Sequence, residues 1–296
     1  MAILEADLPA QDDAGGLTDV LYERCYMHSI LDPPAAANGG ATDRDLTSIL
    51  IAANTSRAAW DEGWQIDQVL DEGRILACKG GAARSFLPGE YLTHRRLGAG
   101  PEAGKPVAIF LPAGSTDMQP GFYHAFGETA GETEDREQAL RFYWNVSVEG
   151  APRLMQAVTR DFNRFQIAFQ FKCANRAAHY PRRDAAVLYF DRRYYAIGAL
   201  LVERVHAELR DWLNAGTPLF ARCLADGLGF AEDPGDSFGK HRCKILATAM
   251  AATRGKPAHE RLEEVRLQFG RRGLSLERPW LNAGSMGRYE FPFPAV

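Results

Sequence analysis

From Leu17 to Trp60 the apolar side chains recur at helical spacing, and beyond Trp64 the spacing shortens to that of strands. Leu17 to Ile30 reads as one helix, stopped by Pro33 and Pro34, since proline lacks the N–H a helix needs. After a loop from Ala35 to Ala41, Thr42 or Asp43 can cap a second helix reaching Trp60, with Leu46, Ile49, Leu50 and Ala53 on its apolar side. Residues 5 to 16 are acidic and small and read as ragged. From Trp64 to Gly127 the runs RILACK, EYLTHRRL, PVAIFLP and GFYHAFG stand between Gly and Pro clusters, the texture of strands and turns. GAGPEAGKP, residues 98 to 106, reads as a mobile hairpin loop.

The pattern changes again after Gly127. GETEDREQ predicts an acidic turn or short helix, followed by a strand around Phe142 to Val148. Pro152 suits the first turn of a helix ending near Phe165. IAFQFKCA alternates as a strand, and AAVLYF is a more buried one. Tyr194 to Asn214 is a long amphipathic helix, closed by Gly216 and Pro218. A Gly-rich loop, GLGFAEDPGDSFG, leads to a helix from Ser237 to Ala252, and a charged helix covers Pro257 to Phe269. The tail from Leu274 has few helix signals. Helices mixed with short strands predict an α+β fold with an antiparallel-rich sheet. We expect one compact protein with two subdomains, residues 1–117 and 118–296, the first suited to docking a peptide or partner.

Composition narrows the function. The chain has 296 residues, 46% of them hydrophobic, enough for a sizeable core. A net charge of −4 argues against a nucleic-acid binder, which is usually basic. The five cysteines are odd in number and form no CxxC pair, which speaks against a disulfide framework or a structural zinc site. No apolar run is long enough for a membrane span, and the N-terminus lacks the basic start and apolar stretch of a Sec signal. A cytoplasmic location is the expectation. No HExxH or GxSxG motif is present, and no carboxylate pair suggests a glycosidase.

Three segments can carry chemistry. The junction at residues 226 to 244 joins glycines 227, 229, 235 and 239 to a helix capped by Asp236 or Ser237, whose first turns hold Lys240, His241, Arg242 and Lys244. Free N–H groups and the positive dipole end attract anions there, though an ordinary capped helix with a basic face has the same sequence. The spacing is neither a Walker loop nor GxGxxG. In FQFKCANRAAHYPRRDAAVLYF, Phe169 and Phe171 lie on one strand face and Gln170 and Lys172 on the other. A half-buried lysine beside arginines is suited to general-base work, and a surface lysine before a basic loop fits the same residues. Asp184 either caps the next strand or orients Arg183. In RFYWNV, Arg141, Tyr143 and Asn145 share a polar face.

The order RFYWNV, FQFK, HYPRRDAAVLY and GLGFAEDPGDSFGKHR, across residues 118 to 252, resembles the HopA-type effector family of bacterial type III secretion. The resemblance extends to family members in class V lanthipeptide and thioamitide biosynthesis. It implies an α+β fold and, for those members, elimination of phosphate from phosphoserine or phosphothreonine in a ribosomal precursor peptide. The product is dehydroalanine or dehydrobutyrine, and a kinase-like partner phosphorylates the peptide first. No metal and no organic cofactor is implied.

That reaction needs a base near Cα and cations around the departing phosphate. By their chemistry, Lys172 is assigned as base, Arg183 and Arg242 as phosphate clamps, and Arg141 and Lys240 as added charge. Tyr180 or His241 is the acid, with His124 and His179 in reserve; Asn145, Ser237 and Asp184 support. The same cations would serve a non-catalytic effector or adaptor gripping a phosphorylated or acidic partner, or an enzyme acting on an anionic metabolite. An open groove beside Lys172 favours a peptide and a closed pit a metabolite.

Overall fold

The computed structural model describes residues 3, 14–29, 43–80, 82–93, 100–130 and 139–291. Helix α1 (Ala14–Leu21) runs into a π-helical turn, Tyr22–Met27, so the first expected helix is present with a changed pitch. Helix α2 (Thr47–Ala53) is shorter than its pattern suggests. The Asp45 carboxylate, not Asp43, accepts from Thr47 N–H at its start. Asn54 turns extended after it and ties its side chain to the Ala113 carbonyl and the Tyr123 hydroxyl. Trp60, expected in the helix, lies in a strand.

Strands β1 (Ala59–Val69), β2 (Ile75–Lys79), β3 (Ala82–Phe86), β4 (Tyr91–Thr93) and β5 (Pro106–Leu111) form an antiparallel sheet in the order β3-β2-β1-β5-β4. One face closes over its own small core of Trp64, Ile66, Ile75, Ala77, Val107 and Ile109. Residues 100–105 lie in the connection between the paired strands β4 and β5, as the hairpin reading expects.

The larger unit alternates β6 (Gly114–Ser115), β7 (Phe122–Phe126), β8 (Ala139–Trp144), α3 (Ala151–Arg164), β9 (Phe169–Ala174), β10 (Ala186–Asp191) and α4 (Tyr195–Leu209). It continues with β11 (Arg222–Ala225), β12 (Leu228–Glu232), α5 (Phe238–Ala252) and α6 (Ala258–Gly270). Its seven strands are antiparallel in the order β11-β12-β8-β10-β9-β7-β6. The fold is α+β. Part of the expected Gly-rich loop is strand β12, because Leu228, Phe230 and Glu232 pair with β8 and are buried. The expected loop at 35–41, the acidic segment 131–138 and most of the ragged start lie outside the described residues.

Strand parity sorts this sheet. Leu140, Phe142, Trp144, Phe171, Leu188, Phe190 and Phe230 pack on α3 and α4 through Leu154, Val158, Phe162, Val202 and Val205. Each such side chain contributes about 1.5–3 kcal/mol on burial. Tyr143, Val187 and Ala231, on the opposite face, pack with Leu17, Leu21, Tyr26, Phe238 and Cys243 of the α1–α5 layer. Across the ladder that face reads His124, Lys172, Val187, Tyr143, Gly229 in one row and Phe126, Gln170, Tyr189, Arg141, Ala231 in the next. The α1–α5 layer covers the β12–β8–β10 side, while Gln170 and Lys172 on β9 remain half-buried.

Candidate functional site

Lys172 lies on this partly covered face. Its ammonium is 4.7 Å from the Phe122 ring centroid and donates to Gln119 Oε1 at 3.1 Å. Arg182 lies over the same ring, its guanidinium carbon 5.2 Å from the centroid. Phe122 is thus a shared apolar floor for two cations. Arg182 is held in place by Asp184, which accepts from Nε at 2.5 Å and Nη2 at 2.9 Å. Asp184 is 5% exposed, so the fork is held rigid by a buried carboxylate. Among the described residues, Lys172 has no carboxylate partner, and Arg182 Nη1 has no acceptor.

Further polar groups surround this pair. His124 faces Lys172 directly across the β7–β9 ladder, and its Nδ1 is 2.8 Å from Gln170 Nε2. With Gln170 donating, the ring carries its proton on Nε2. His179 is exposed and lies against Gly121, where a Cβ would meet its Cε1 at 3.0 Å. Tyr22, from the π-helical turn, accepts from Arg182 Nη2 at 3.4 Å. The Lys240 ammonium is 5.8 Å from the Tyr22 ring and pairs at 3.4 Å with Asp19. Lys240, expected as added charge, is therefore joined to Arg182 through Tyr22.

The other expected clamps have different partners. Arg242 is fully buried, donating to the carbonyls of Pro279 at 2.9 Å and Leu281 at 3.0 Å. Burial pushes its guanidinium down to about 10. It is a strut for the C-terminal segment and not an open clamp, because its donors are already taken. Arg141 is buried too: Nη2 reaches Asp233 Oδ1 and the Asp236 carbonyl, both at 2.6 Å, while its buried Nε has no acceptor among the described residues. Arg183 is not the partner of Asp184; its guanidinium lies against Gly216 and reaches the Thr217 carbonyl at 3.4 Å. Residues 180–185 form turns and bends before β10, and the chain reversal there brings the Arg182 guanidinium onto the Asp184 carboxylate.

The expected acids are also elsewhere. The buried Tyr180 hydroxyl donates to the Ala174 carbonyl at 2.7 Å, and burial raises its pKa far above the phenol range. His241 Nδ1 accepts from Arg242 Nη1 at 2.7 Å. Burial, then Arg242, holds His241 below the usual imidazole value. Asn145 donates to the Ala215 carbonyl at 2.8 Å, bracing a loop. Ser237 is the helix cap: its hydroxyl accepts from Lys240 N–H at 3.4 Å.

An open cleft of about 760 Å³ lies between the two sheets, lined by Arg84, Phe86, Phe126, Gln170, Tyr189 and Arg193 among others. Lys172 is not part of its wall, but Gln170 is, two residues along the same strand face. Met118, next to the Lys172 partner Gln119, lines it as well. Among the described residues no cluster of His, Cys, Asp and Glu is arranged to hold a metal ion, and no helix is long and apolar enough to cross a membrane.

The sequence model of the HopA1 effector protein family matches residues 113–281. Lys172, Arg182 and α5 fall inside that span and Tyr22 outside it. No curated protein matches the chain. Among solved structures it is similar to an effector protein from Pseudomonas syringae pv. tomato strain DC3000, with 23% identity and a TM-score of 0.44 over 56% of this chain and 66% of that one. It is also similar to an effector protein from Pseudomonas syringae pv. syringae strain 61, with 19% identity and a TM-score of 0.42 over 55% and 63% of the two chains. The match spans just under two thirds of each of those proteins.

Proposed function

The chain belongs to the HopA1 effector protein family, and we propose that it is a lyase acting on phosphorylated peptides. It would remove phosphate from phosphoserine or phosphothreonine of a ribosomal precursor peptide and leave dehydroalanine or dehydrobutyrine. The observation that carries this reading is the pair of cations on one ring: Lys172 with no carboxylate partner among the described residues, and Arg182 with Nη1 open. A half-buried cationic pair of this kind suits a dianion such as phosphate.

Once its ammonium has lost a proton to solvent, the Lys172 amine nitrogen takes the α-proton. The electron pair of that C–H bond forms the Cα–Cβ double bond, and the Cβ–O bond breaks. Phosphate leaves with the bonding electrons, its charge met by Arg182 and, at longer range, Lys240. The resulting ammonium on Lys172 returns its proton to solvent or to the phosphate. The open cleft is lined by Gln170 and not by Lys172, and its openness suits an extended peptide chain more than a small metabolite. A kinase-like partner would phosphorylate the peptide beforehand, in the cytoplasm.

The test is incubation with a synthetic phosphothreonine peptide and mass spectrometry. Loss of the mass of phosphoric acid is expected from the wild type and not from Lys172→Ala, which should melt at the wild-type temperature. Full activity in Lys172→Ala removes that residue from the mechanism. Peptide binding with no mass loss by the wild type would instead favour the non-catalytic effector or adaptor.

A further inference from the structure

Tyr22 lies outside the family-matched residues, yet it bridges two of the cationic segments within them. The π-helical turn that carries it is the reason. Tyr22 and Tyr26 stack with centroids 5.2 Å apart and planes 14° from parallel. Tyr26 is buried against Tyr143 and Phe238. On α5, a Cβ at Gly239 would come within 2.5 Å of the Tyr26 ring and 2.7 Å of the Tyr22 ring. Glycine there lets the tyrosine pair seat on the helix start. Wider π turns inside helices are often found at functional sites, and this one sets Tyr22 beside Arg182.

The hydrogen bonding of the phenol is one-sided. Its oxygen accepts from Arg182 Nη2, while its own O–H has no acceptor among the described residues. Arg182 stays fixed by Asp184 whether or not the phenol is there. Tyr22 is thus not required to hold the guanidinium, and its proton points to a further use.

We propose that Tyr22 is a phosphate-binding residue of this site, its hydroxyl donating to a phosphate oxygen bound between Arg182 and Lys240. The N-terminal turn, and not the family-matched span alone, completes the anion site. Burial, with the Asp184 charge adding and Arg182 opposing, pushes the phenol up to about 12, so the proton stays on through the neutral range. The proposal rests on the reading of this face as a phosphate site, but not on elimination taking place there.

The experiment titrates inorganic phosphate into the full chain by calorimetry, for wild type and Tyr22→Phe. Phenylalanine keeps the ring and its stacking and removes only the hydroxyl. A hydrogen bond to a charged group corresponds to roughly tenfold in affinity, so Tyr22→Phe should bind phosphate about tenfold more weakly at an unchanged melting temperature. Equal affinity in the two proteins overturns the proposal, and so does a wild type that binds no phosphate. Phosphate binding that depends on the hydroxyl, together with no mass loss from a phosphothreonine peptide, would sink the lyase and leave Tyr22 in the anion site.

Discussion

Arg242 and Arg182 have the same side chain and opposite situations. Arg242 is inside the protein with carbonyl acceptors from Pro279 and Leu281; Arg182 is half-buried with one nitrogen open. Arg242→Met should leave two buried carbonyls without donors, each costing about 1–3 kcal/mol. Urea denaturation should then show a loss of roughly 2–6 kcal/mol, with phosphate affinity unchanged. A stable Arg242→Met protein with weakened phosphate binding would restore Arg242 as a clamp. The alternation of β9 tells which face Lys172 occupies, and that much is readable from FQFK. Arg182 was not singled out by its local pattern, because the turn at residues 180–185, and not strand alternation, brings it to Asp184. Nothing local to Tyr22 announces it: its partner Arg182 is 160 positions away.

At the scale of elements, the capped helix α5 is where local sequence and structure agree. Ser237 caps it, and Phe238–Ala252 matches the expected span. Its role differs from the expected one, because its first turn works as a seat for the tyrosine turn. Gly239→Ala tests that seat. The added methyl meets two aromatic rings inside van der Waals contact, and overpacking of this kind costs about 1–3 kcal/mol. We expect a lower melting temperature and weaker phosphate binding together, since displacing the turn displaces Tyr22. A Gly239→Ala protein with wild-type melting and binding would show that the seat is not needed. The second helix and the Gly-rich loop went differently from their local patterns. Asn54 found long-range partners that end α2, and β12 found an open edge of β8 that its glycines do not forbid.

At the scale of the whole molecule, the C-terminal segment is latched onto the sheet. Glu232 is fully buried and accepts from Asn282 N–H at 2.6 Å, Ser285 Oγ at 2.6 Å and Tyr289 O–H at 2.5 Å, while Arg242 holds the Pro279 and Leu281 carbonyls. His241 links this latch to pH. Its folded-state value lies below the ordinary imidazole value, so between the two the unfolded chain binds the proton and the folded chain does not. Stability should therefore fall as pH drops below about 6.5, levelling once the folded protein also protonates. Protonation at Nδ1 would also remove the acceptor that Arg242 Nη1 now uses. His241→Gln should flatten this slope relative to wild type, measured as melting temperature between neutral pH and pH 5. Identical slopes would show that His241 titrates alike in both states.

The sequence by itself determined the α+β class, a cap at Asp236 or Ser237, of which the structure uses Ser237, the strand parity of Lys172 and the order of motifs that marks the family. These follow from short-range rules: periodicity, capping chemistry and the alternation of a strand. Only the tertiary structure decided which arginine stays open, that Tyr180 and Arg242 are interior, and that a tyrosine from the first helical element reaches the site. Periodicity says which way a side chain points but not which distant segment lies opposite it. A cation becomes a strut or a clamp according to whether carbonyls from elsewhere in the chain already occupy its donors.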